Sequence, residues 1–213
     1  ASDVGFLESL ASEMFAGRGS RGWCRNDMYL LLQYAQLQPR VLYDETVLAG
    51  GLKGLKVLVM SECDVLTRSV ADAIRRFQQG GGLIVADEHL APAITPDILI
   101  KRPVRKDKPD EDKAAIQAGA AELRAQLDAL YQRPADSSNP DIIARVRRYK
   151  TADYLFAVND RRTFGDYVGQ WGLVMEKGLP AEATLILNRP AGHAYDLVAG
   201  RPIPADAAGG VLR

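Results

Sequence analysis

Cysteine and histidine are scarce in this sequence of 213 residues, which contains two of each. Two cysteines, Cys24 and Cys63, cannot form a framework of several disulfide bridges. Their positions along the chain do not decide whether they form one bridge, because that depends on their distance in the fold. The redox state of both thiols and the compartment of the protein are therefore left open.

An excess of charge of either sign is also missing. The 27 Lys and Arg residues balance 27 Asp and Glu residues, so the formal net charge is 0. This balance gives no general electrostatic signature of a protein that binds nucleic acid or an anionic membrane. Long hydrophobic runs are absent as well, since runs such as Val57–Met60 and Leu83–Ala86 hold only a few residues, whereas a membrane-spanning helix needs about 20. We predict no nucleic-acid partner and no membrane span.

The sequence starts without a methionine and without a charged segment followed by an apolar one. We therefore expect the chain to be part of a longer protein, in which a secretory leader would not be visible here. Secretion or a periplasmic location stays open on this evidence. The composition, with 47% hydrophobic and 25% charged residues, is typical of a globular protein.

The first part of the sequence alternates short apolar runs with helical patterns. The runs that predict strands are Val4–Glu8, Arg40–Tyr43, Lys56–Met60 and Leu83–Ala86. One predicted helix begins at Asn26 and ends before Pro39, and another begins at Thr67 and ends at Gly80. The last two strands are apolar throughout, which is typical of strands buried on both faces. This order predicts an α/β fold with a doubly wound, flavodoxin-like parallel sheet.

The second part of the sequence changes character. The charged segment 101–113 predicts a solvated loop, segment 113–133 a helix, and the Asn139-Pro140-Asp141 sequence the start of a short helix. From Thr151 onward, short runs alternate with turn residues in a period of two, which predicts a small antiparallel β-sandwich. We therefore predict an α/β domain over residues 1–150 and a β-sandwich over residues 151–213, which is small enough to be incomplete.

Polar residues follow the third and the fourth predicted strands. Ligands of parallel sheets bind beyond the carboxyl ends of the strands, so these residues are expected to form one rim. The candidate ligand-binding or catalytic residues are Glu62, Cys63, Asp64, Asp87, Glu88 and His89.

The catalytic hypothesis takes Cys63 as a nucleophile, His89 as its base, and Glu88 or Glu62 as the group that orients the histidine. Cys63 lacks the flanking glycines of a nucleophile elbow, and it precedes the helix start at Thr67 by four residues. We favour the alternative, in which Cys63 is a partly buried small residue and His89 belongs to a loop. A metal site built from Cys63, His89 and a carboxylate lacks a recognised ligand spacing, so we predict no metal.

Two further features could bind a ligand. The loop Gly17–Gly22 could hold an anion with its backbone amides, but the following helix starts at Asn26 rather than at the glycines, so we predict no cofactor. Exposed aromatic rings can stack on sugars, and the candidates are Trp23 and Trp171, with Tyr43 and Tyr167 beside them. Packing of Trp171 in a β-sandwich core is the alternative.

A longer pattern extends over residues 43–87. It comprises an acidic residue with a leucine (Asp44–Leu48), an apolar strand (Leu52–Val59), and a helix that ends in glycines before a further strand (Val70–Val85). In this pattern the chain resembles the class I glutamine amidotransferase-like fold, and especially the non-catalytic trimerisation domain of β-galactosidases. The later segment, with Asn159 closing a strand and a hairpin at Tyr195–Ile203, looks like the β-sandwich domains of large bacterial glycoside hydrolases.

The resemblance implies a non-catalytic assembly or accessory region of a larger bacterial carbohydrate-active protein. Amidotransferases carry their nucleophile in a G-x-C-x-G elbow and a later His-x-Glu, and this chain has neither. The implied partners are further copies of the chain or other domains of the same polypeptide, with carbohydrate as an additional candidate. Two alternatives stay open: a cysteine-dependent hydrolase or amidotransferase-like enzyme that uses Cys63, and a carbohydrate-binding module that uses Trp23 or Trp171.

Overall fold

The computed structural model describes residues 2–16, 21–106, 108–163, 165, 167–168, 173–174, 176–189, 193–203, 205–206 and 211–212, with the backbone alone at 21–25, 167–168, 173–174, 205–206 and 211–212. The chain divides into two compact units, Ala1–Tyr131 and Gln132–Arg213. This division falls before the predicted one at residue 150. In the described ranges, no helix combines the length and the apolar character needed to cross a membrane.

The first unit is built on a five-stranded parallel sheet. Its strands are β1 (Val4–Glu8), β2 (Arg40–Tyr43), β3 (Val57–Met60), β4 (Leu83–Ala86) and β5 (Ile98–Leu99), in the order β2-β1-β3-β4-β5. Its helices are α1 (Leu10–Phe15), α2 (Arg21–Tyr34), α3 (Asp44–Leu48), α4 (Arg68–Gln79) and α5 (Pro109–Leu127). An α/β unit with a parallel sheet is therefore confirmed, and four of its five strands lie where the apolar runs predict them.

Helices pack on both faces of this sheet. On one face, Leu7, Met60 and Ile84 join the buried side chains of α3 and α4 in one hydrophobic cluster. On the other face, the Phe6 ring meets the ring of Tyr29 from α2 edge to face, with centroids 5.8 Å apart. The alternation of Phe6 and Leu7 between the two faces follows from the period of two in a strand.

Helix α4 follows its sequence pattern closely. It begins after Thr67, buries Val70 and Ile74, and ends at Gly80. Gly82 precedes β4, and a Cβ atom at this position would lie 2.2 Å from the Phe77 ring. A glycine is therefore needed there so that the chain can pass under Phe77 into the sheet.

Three predicted helix bounds differ from the structure. Helix α2 begins at Arg21, so the predicted cap Asn26 lies inside the helix; the helix propensity of asparagine is low but not prohibitive, and the rest of the fold often overrides it. Helix α5 begins at Pro109, with three acidic residues in its first turn, where they interact favourably with the helix dipole. Residues 109–113 of the predicted loop 101–113 are therefore helical, and α5 ends at Leu127 rather than at 133.

The second unit contains short antiparallel strands. In chain order they are β6 (Ala135–Ser137), β7 (Ile142–Tyr149), β8 (Ala152–Asn159), β9 (Arg162–Thr163), β10 (Tyr167–Val168), β11 (Leu173–Val174), β12 (Lys177–Gly178), β13 (Leu185–Leu187), β14 (Ala194–Asp196), β15 (Arg201–Ile203), β16 (Ala205–Asp206) and β17 (Val211–Leu212). One sheet has the order β16-β17-β13-β6, and the other described strands pair two by two. The β-sandwich arrangement itself stays a prediction.

The predicted short helix after Asp141 is wrong, because residues 142–149 form strand β7 and pair with β8 over its whole length. The Asn139 side chain accepts a hydrogen bond from the Asp141 amide at 2.9 Å, so this segment forms a turn rather than a helix cap. On β7, Ile142 and Ala144 are buried and belong to the inner face of the strand pair. Ala144 forms the small core of this unit together with Ala135 and Leu187.

Candidate functional site

Strands β3 and β4 pair in register from Val57 to Met60, so the segments that follow them meet at one edge of the sheet, as the sequence predicts. Asp87 lies at the centre of this rim. Its buried carboxylate accepts hydrogen bonds from the Ser61 hydroxyl at 2.8 Å, the Glu62 amide at 3.0 Å and the His89 amide at 2.9 Å. Burial raises the pKa of Asp87, although these hydrogen bonds and Arg102 act in the opposite direction.

Glu62 has an unusual backbone conformation for a residue with a side chain. Its φ angle is +54°, in the left-handed region, which is uncommon for residues other than glycine. Its carboxylate is fully buried and accepts a hydrogen bond from Arg102 Nη1 at 2.6 Å. The hydrogen bonds from the Glu62 amide to Asp87 hold this backbone in place.

Arg102 is the main residue of the rim that the sequence did not reveal. It lies after β5, and besides Glu62 it donates from Nε to Glu88 at 3.2 Å and lies 3.9 Å from Asp87 Oδ2. Burial raises the pKa of Glu88, but hydrogen bonding to its own backbone and to the Arg102 guanidinium outweighs burial, so the pKa is lowered overall. One cation thus compensates three carboxylates.

His89 lies between two carboxylates without a short hydrogen bond to either. Its Nδ1 atom is 3.8 Å from Asp64 and its Nε2 atom is 3.7 Å from Glu88. Both distances exceed those of a hydrogen bond. The rim therefore brings His89 near the predicted Asp64 and Glu88, but these carboxylates do not orient the imidazole as a catalytic base requires.

Cys63 is directed away from the rim. The residue is 1% exposed, and its Sγ atom lies 3.6 Å from the Ser61 carbonyl oxygen and 3.9 Å from that of Leu7. The thiol packs in the same hydrophobic cluster as Val70 and Ile74 of α4. This position disfavours the nucleophile hypothesis, because a reactive thiol needs solvent access and a group that stabilises the thiolate.

A segment after β5, residues 101–106, crosses this end of the first unit, and we call it the strap. Arg102 fixes it to the rim, and Arg105 fixes it to α2. The Arg105 guanidinium donates to both oxygens of Asp27, at 2.7 and 2.5 Å, and the Asp27 side chain is 4% exposed. Such two-point contacts between arginine and carboxylate restrict orientation as well as distance.

The remaining sequence candidates have separate positions. In the described part of the chain, no group of three or more His, Cys, Asp or Glu side chains has a geometry that could hold a metal ion. Trp171 and Gly17–Ser20 lie outside the described residues, Trp23 is described by its backbone in α2, and Tyr43 is exposed at the end of β2.

A cavity of about 570 Å³ lies at the opposite end of the sheet, beside Lys53, Phe77 and Gly82.

Comparison with known proteins gives no match to a family model and no match to a curated sequence. Solved structures do match over the whole chain. An alpha-L-fucosidase isoenzyme 2 from Paenibacillus thiaminolyticus matches with 11% identity and a TM-score of 0.61, covering 100% of this chain and 46% of that one. A GH42 beta-galactosidase from G. stearothermophilus, in a catalytic-mutant form, matches with 11% identity and a TM-score of 0.57, covering 100% and 40%.

A beta-galactosidase from Bacillus circulans sp. alkalophilus matches with 12% identity and a TM-score of 0.53, covering 99% of this chain and 41% of that one. The chain therefore spans less than half the length of each of these proteins. At these identities the likeness concerns the fold alone. The chain has the fold of a region that occurs within glycoside hydrolases.

Proposed function

We propose that this chain is a non-catalytic assembly or accessory region of a larger bacterial carbohydrate-active protein, with a flavodoxin-like first domain of the kind that mediates trimerisation in β-galactosidases. The observation that carries the proposal is the extent of the structural likeness. It covers the whole of this chain, but only 46% and 40% of a fucosidase and a β-galactosidase. A region of this kind would associate with other copies or shape a neighbouring active site.

The pairing within the rim supports a non-catalytic role. A glycosidase needs two carboxyl groups that flank the bond to be cleaved and that reach the sugar. Here Glu62 and Asp87 are buried and hydrogen-bonded within the protein, and only Glu88 is half exposed. The burial of the Cys63 thiol also supports a non-catalytic role.

Exposed apolar side chains at one edge of the first unit support assembly. Strand β2 is an edge strand of the sheet, and edge strands readily associate with other chains. Tyr43 at its end is exposed, as are Leu10, Met14 and Phe15 of α1. The beginning of α1 lies beside β2, because the Ala11 amide donates to the Asp44 carboxylate at 3.3 Å. We call these four residues, Leu10, Met14, Phe15 and Tyr43, the edge patch.

Light scattering during gel filtration, over a series of concentrations, tests this proposal. We expect a stable dimer or trimer for the unchanged chain and a monomer for Phe15→Asp and Met14→Asp, because a charge in the edge patch would be costly to bury. Glu122→Lys, on the exposed side of α5, is the control and should leave the assembly intact. A strictly monomeric unchanged chain at the highest concentration would rule out assembly by this region alone.

A further inference from the structure

The strand pair β7–β8 presents a face on which several large side chains are exposed. The register pairs Ile143 with Val158, Arg145 with Phe156 and Arg147 with Tyr154, and Tyr149 with Ala152. Since side chains alternate along a strand and directly paired residues share a face, these eight residues lie on the same side. We call this side the outer ribbon face. The opposite side carries the buried Ile142 and Ala144, and Ala144, Val146 and Leu155 from that side pack in the small core.

Apolar rings are exposed along the outer ribbon face. Tyr149 is 64% exposed, Phe156 is 53% exposed and Val158 is 52% exposed, with Tyr154 beside them at 39%. A row of exposed rings on one sheet face is more than the scattered single apolar residues of an ordinary surface, and such patches mark binding sites. Alternate residues of a strand lie about 7 Å apart, so the rings of Tyr154 and Phe156 follow each other in a line.

Cations accompany these rings. Arg145 and Arg147 lie directly opposite Phe156 and Tyr154, and neither has an ion-pair partner among the residues that the structure describes. The acidic residue of the strand pair, Asp153, belongs to the opposite side, where Arg148 and Arg189 bind it. Among the described residues, the outer ribbon face therefore carries positive charge without a carboxylate paired to it.

This combination selects for a particular ligand chemistry. Aromatic rings pack against the flat C–H faces of sugar rings, and a guanidinium donates two parallel hydrogen bonds to a carboxylate or a sulfate. A line of rings flanked by arginines matches a linear polymer in which sugar rings carry anionic groups. The zero net charge of the chain argues against nucleic acid, whose binding depends on many phosphate contacts.

We propose that the outer ribbon face binds an acidic polysaccharide, with Tyr154 and Phe156 against the sugar rings and Arg145 and Arg147 on the carboxylate or sulfate groups. The residues of this site are other than those of the rim and other than the candidate tryptophans of the sequence. The ligand class rests on the proposed carbohydrate-active role, whereas the positions and the charge preference rest on the geometry of the strand pair.

Affinity electrophoresis and calorimetry with the full chain test the site. The probes are polygalacturonate for carboxylated chains, dextran sulfate for sulfated chains, unmodified dextran as the neutral polymer and single-stranded oligo(dT) as a nucleic acid. We expect binding to one or both acidic polysaccharides and none to dextran. Arg145→Gln, Arg147→Gln and Phe156→Ala should each weaken this binding by about tenfold, and added salt should weaken it further.

Arg148→Gln is the matched control, because it removes the same charge from the opposite side of the same strand, and it should leave the affinity unchanged. Each face variant changes an exposed or half-exposed side chain, and its thermal unfolding should match that of the unchanged chain. In Arg148→Gln, Asp153 keeps its ion pair with Arg189. Equal binding of neutral dextran, equal or tighter binding of oligo(dT), no binding of either acidic polysaccharide, or unchanged affinity in the three face variants would each overturn the proposal. The assembly state is measured separately, so either proposal can fail while the other stands.

Discussion

The guanidinium of Arg102 and the carboxylate of Glu62 form a hydrogen-bonded ion pair at 2.6 Å, in which the Glu62 side chain is fully buried. Glu62 also has a left-handed backbone, so this pair holds a strained residue at the end of β3. Removing one partner of a buried pair leaves an uncompensated charge, which costs far more than the pair itself contributes.

The first prediction follows from this pair. Arg102→Ala should lower the free energy of unfolding by about 3 kcal/mol, as measured by urea denaturation at pH 7. Arg75→Ala is the matched control, because Arg75 pairs with Asp72 on the surface of α4, where the two side chains are 47% and 38% exposed, and exposed pairs contribute about 1 kcal/mol or less. Equal losses of unfolding free energy in the two variants would show that the buried Glu62 carboxylate does not need Arg102 for its stability.

The second prediction concerns pH. The pKa of Asp87 is raised above 3.8 by burial, so its protonated form is favoured in the folded state. This carboxyl therefore favours folding most below pH 3.8, and the contribution is lost as the pH rises through the raised pKa. Asp87→Asn should remove this dependence: the stability of the unchanged chain relative to the variant should fall as the pH rises from 3.8, as urea denaturation at several pH values would show.

Glu88 provides the opposite case within the same rim. Its pKa is lowered from 4.5, so it stabilises the fold above pH 4.5 and the contribution is lost as the pH falls through the lowered pKa. Glu88→Gln should therefore lose stability relative to the unchanged chain as the pH rises toward neutrality. If the difference in unfolding free energy between the unchanged chain and the variant changed in the same direction with pH for Asp87→Asn and Glu88→Gln, the assigned roles of burial and of Arg102 would be incorrect.

The third prediction tests the thiol of Cys63. In a Cys24→Ser background, Cys63 is the single thiol, and we expect iodoacetamide to label it far more slowly in the folded protein than in urea, because the residue is 1% exposed. Mass spectrometry at pH 6.5 and at pH 8.5 measures this. Rapid labelling of the folded protein at pH 6.5 would restore the nucleophile hypothesis, since only an accessible thiol with a depressed pKa reacts in that way.

The fourth prediction concerns the turn into β4. Gly82→Ala would place a methyl group 2.2 Å from the Phe77 ring, so the ring must move, and we expect a loss of about 1–3 kcal/mol in the free energy of unfolding. Gly178→Ala is the control, because no atom lies within 4 Å of its added Cβ, and it should change stability by about 0.5 kcal/mol or less. A loss in the control as large as that of Gly82→Ala would contradict the steric explanation.

Elements can be predicted from the sequence where their burial and their local residue pattern agree. Strands β3 and β4 are apolar throughout and flank a helix that is capped at Thr67 and ends at Gly80, so both the sheet and the position of the rim follow from local residues. Strand β7 was misread because Ile142, Val146 and Tyr149 also repeat at helical spacing. Its true partner, β8, comes into contact only in the fold, and such pairing is not visible in a local pattern.

The composition of the rim was less predictable for the same reason. The carboxylates follow the strands and could be listed from the sequence, but the cation that pairs with them lies 40 positions from Glu62 along the chain. It stands among many charged residues of one segment, none of which differs locally from its neighbours. The direction of the Cys63 thiol depends on which face of the sheet α4 covers, and this is also a property of the tertiary structure.

The strap has a consequence for the order in which the first unit assembles. Its two contacts join residues that are 40 and 78 positions apart in the chain. Bringing such distant segments together costs loop entropy, and this cost is offset only when the partner surface has already formed. We therefore expect the strap to dock last in folding, on a sheet and an α2 helix that are already in place. For the same reason it should open first, and the amides of residues 101–106 should exchange hydrogen well before those of β3 and β4.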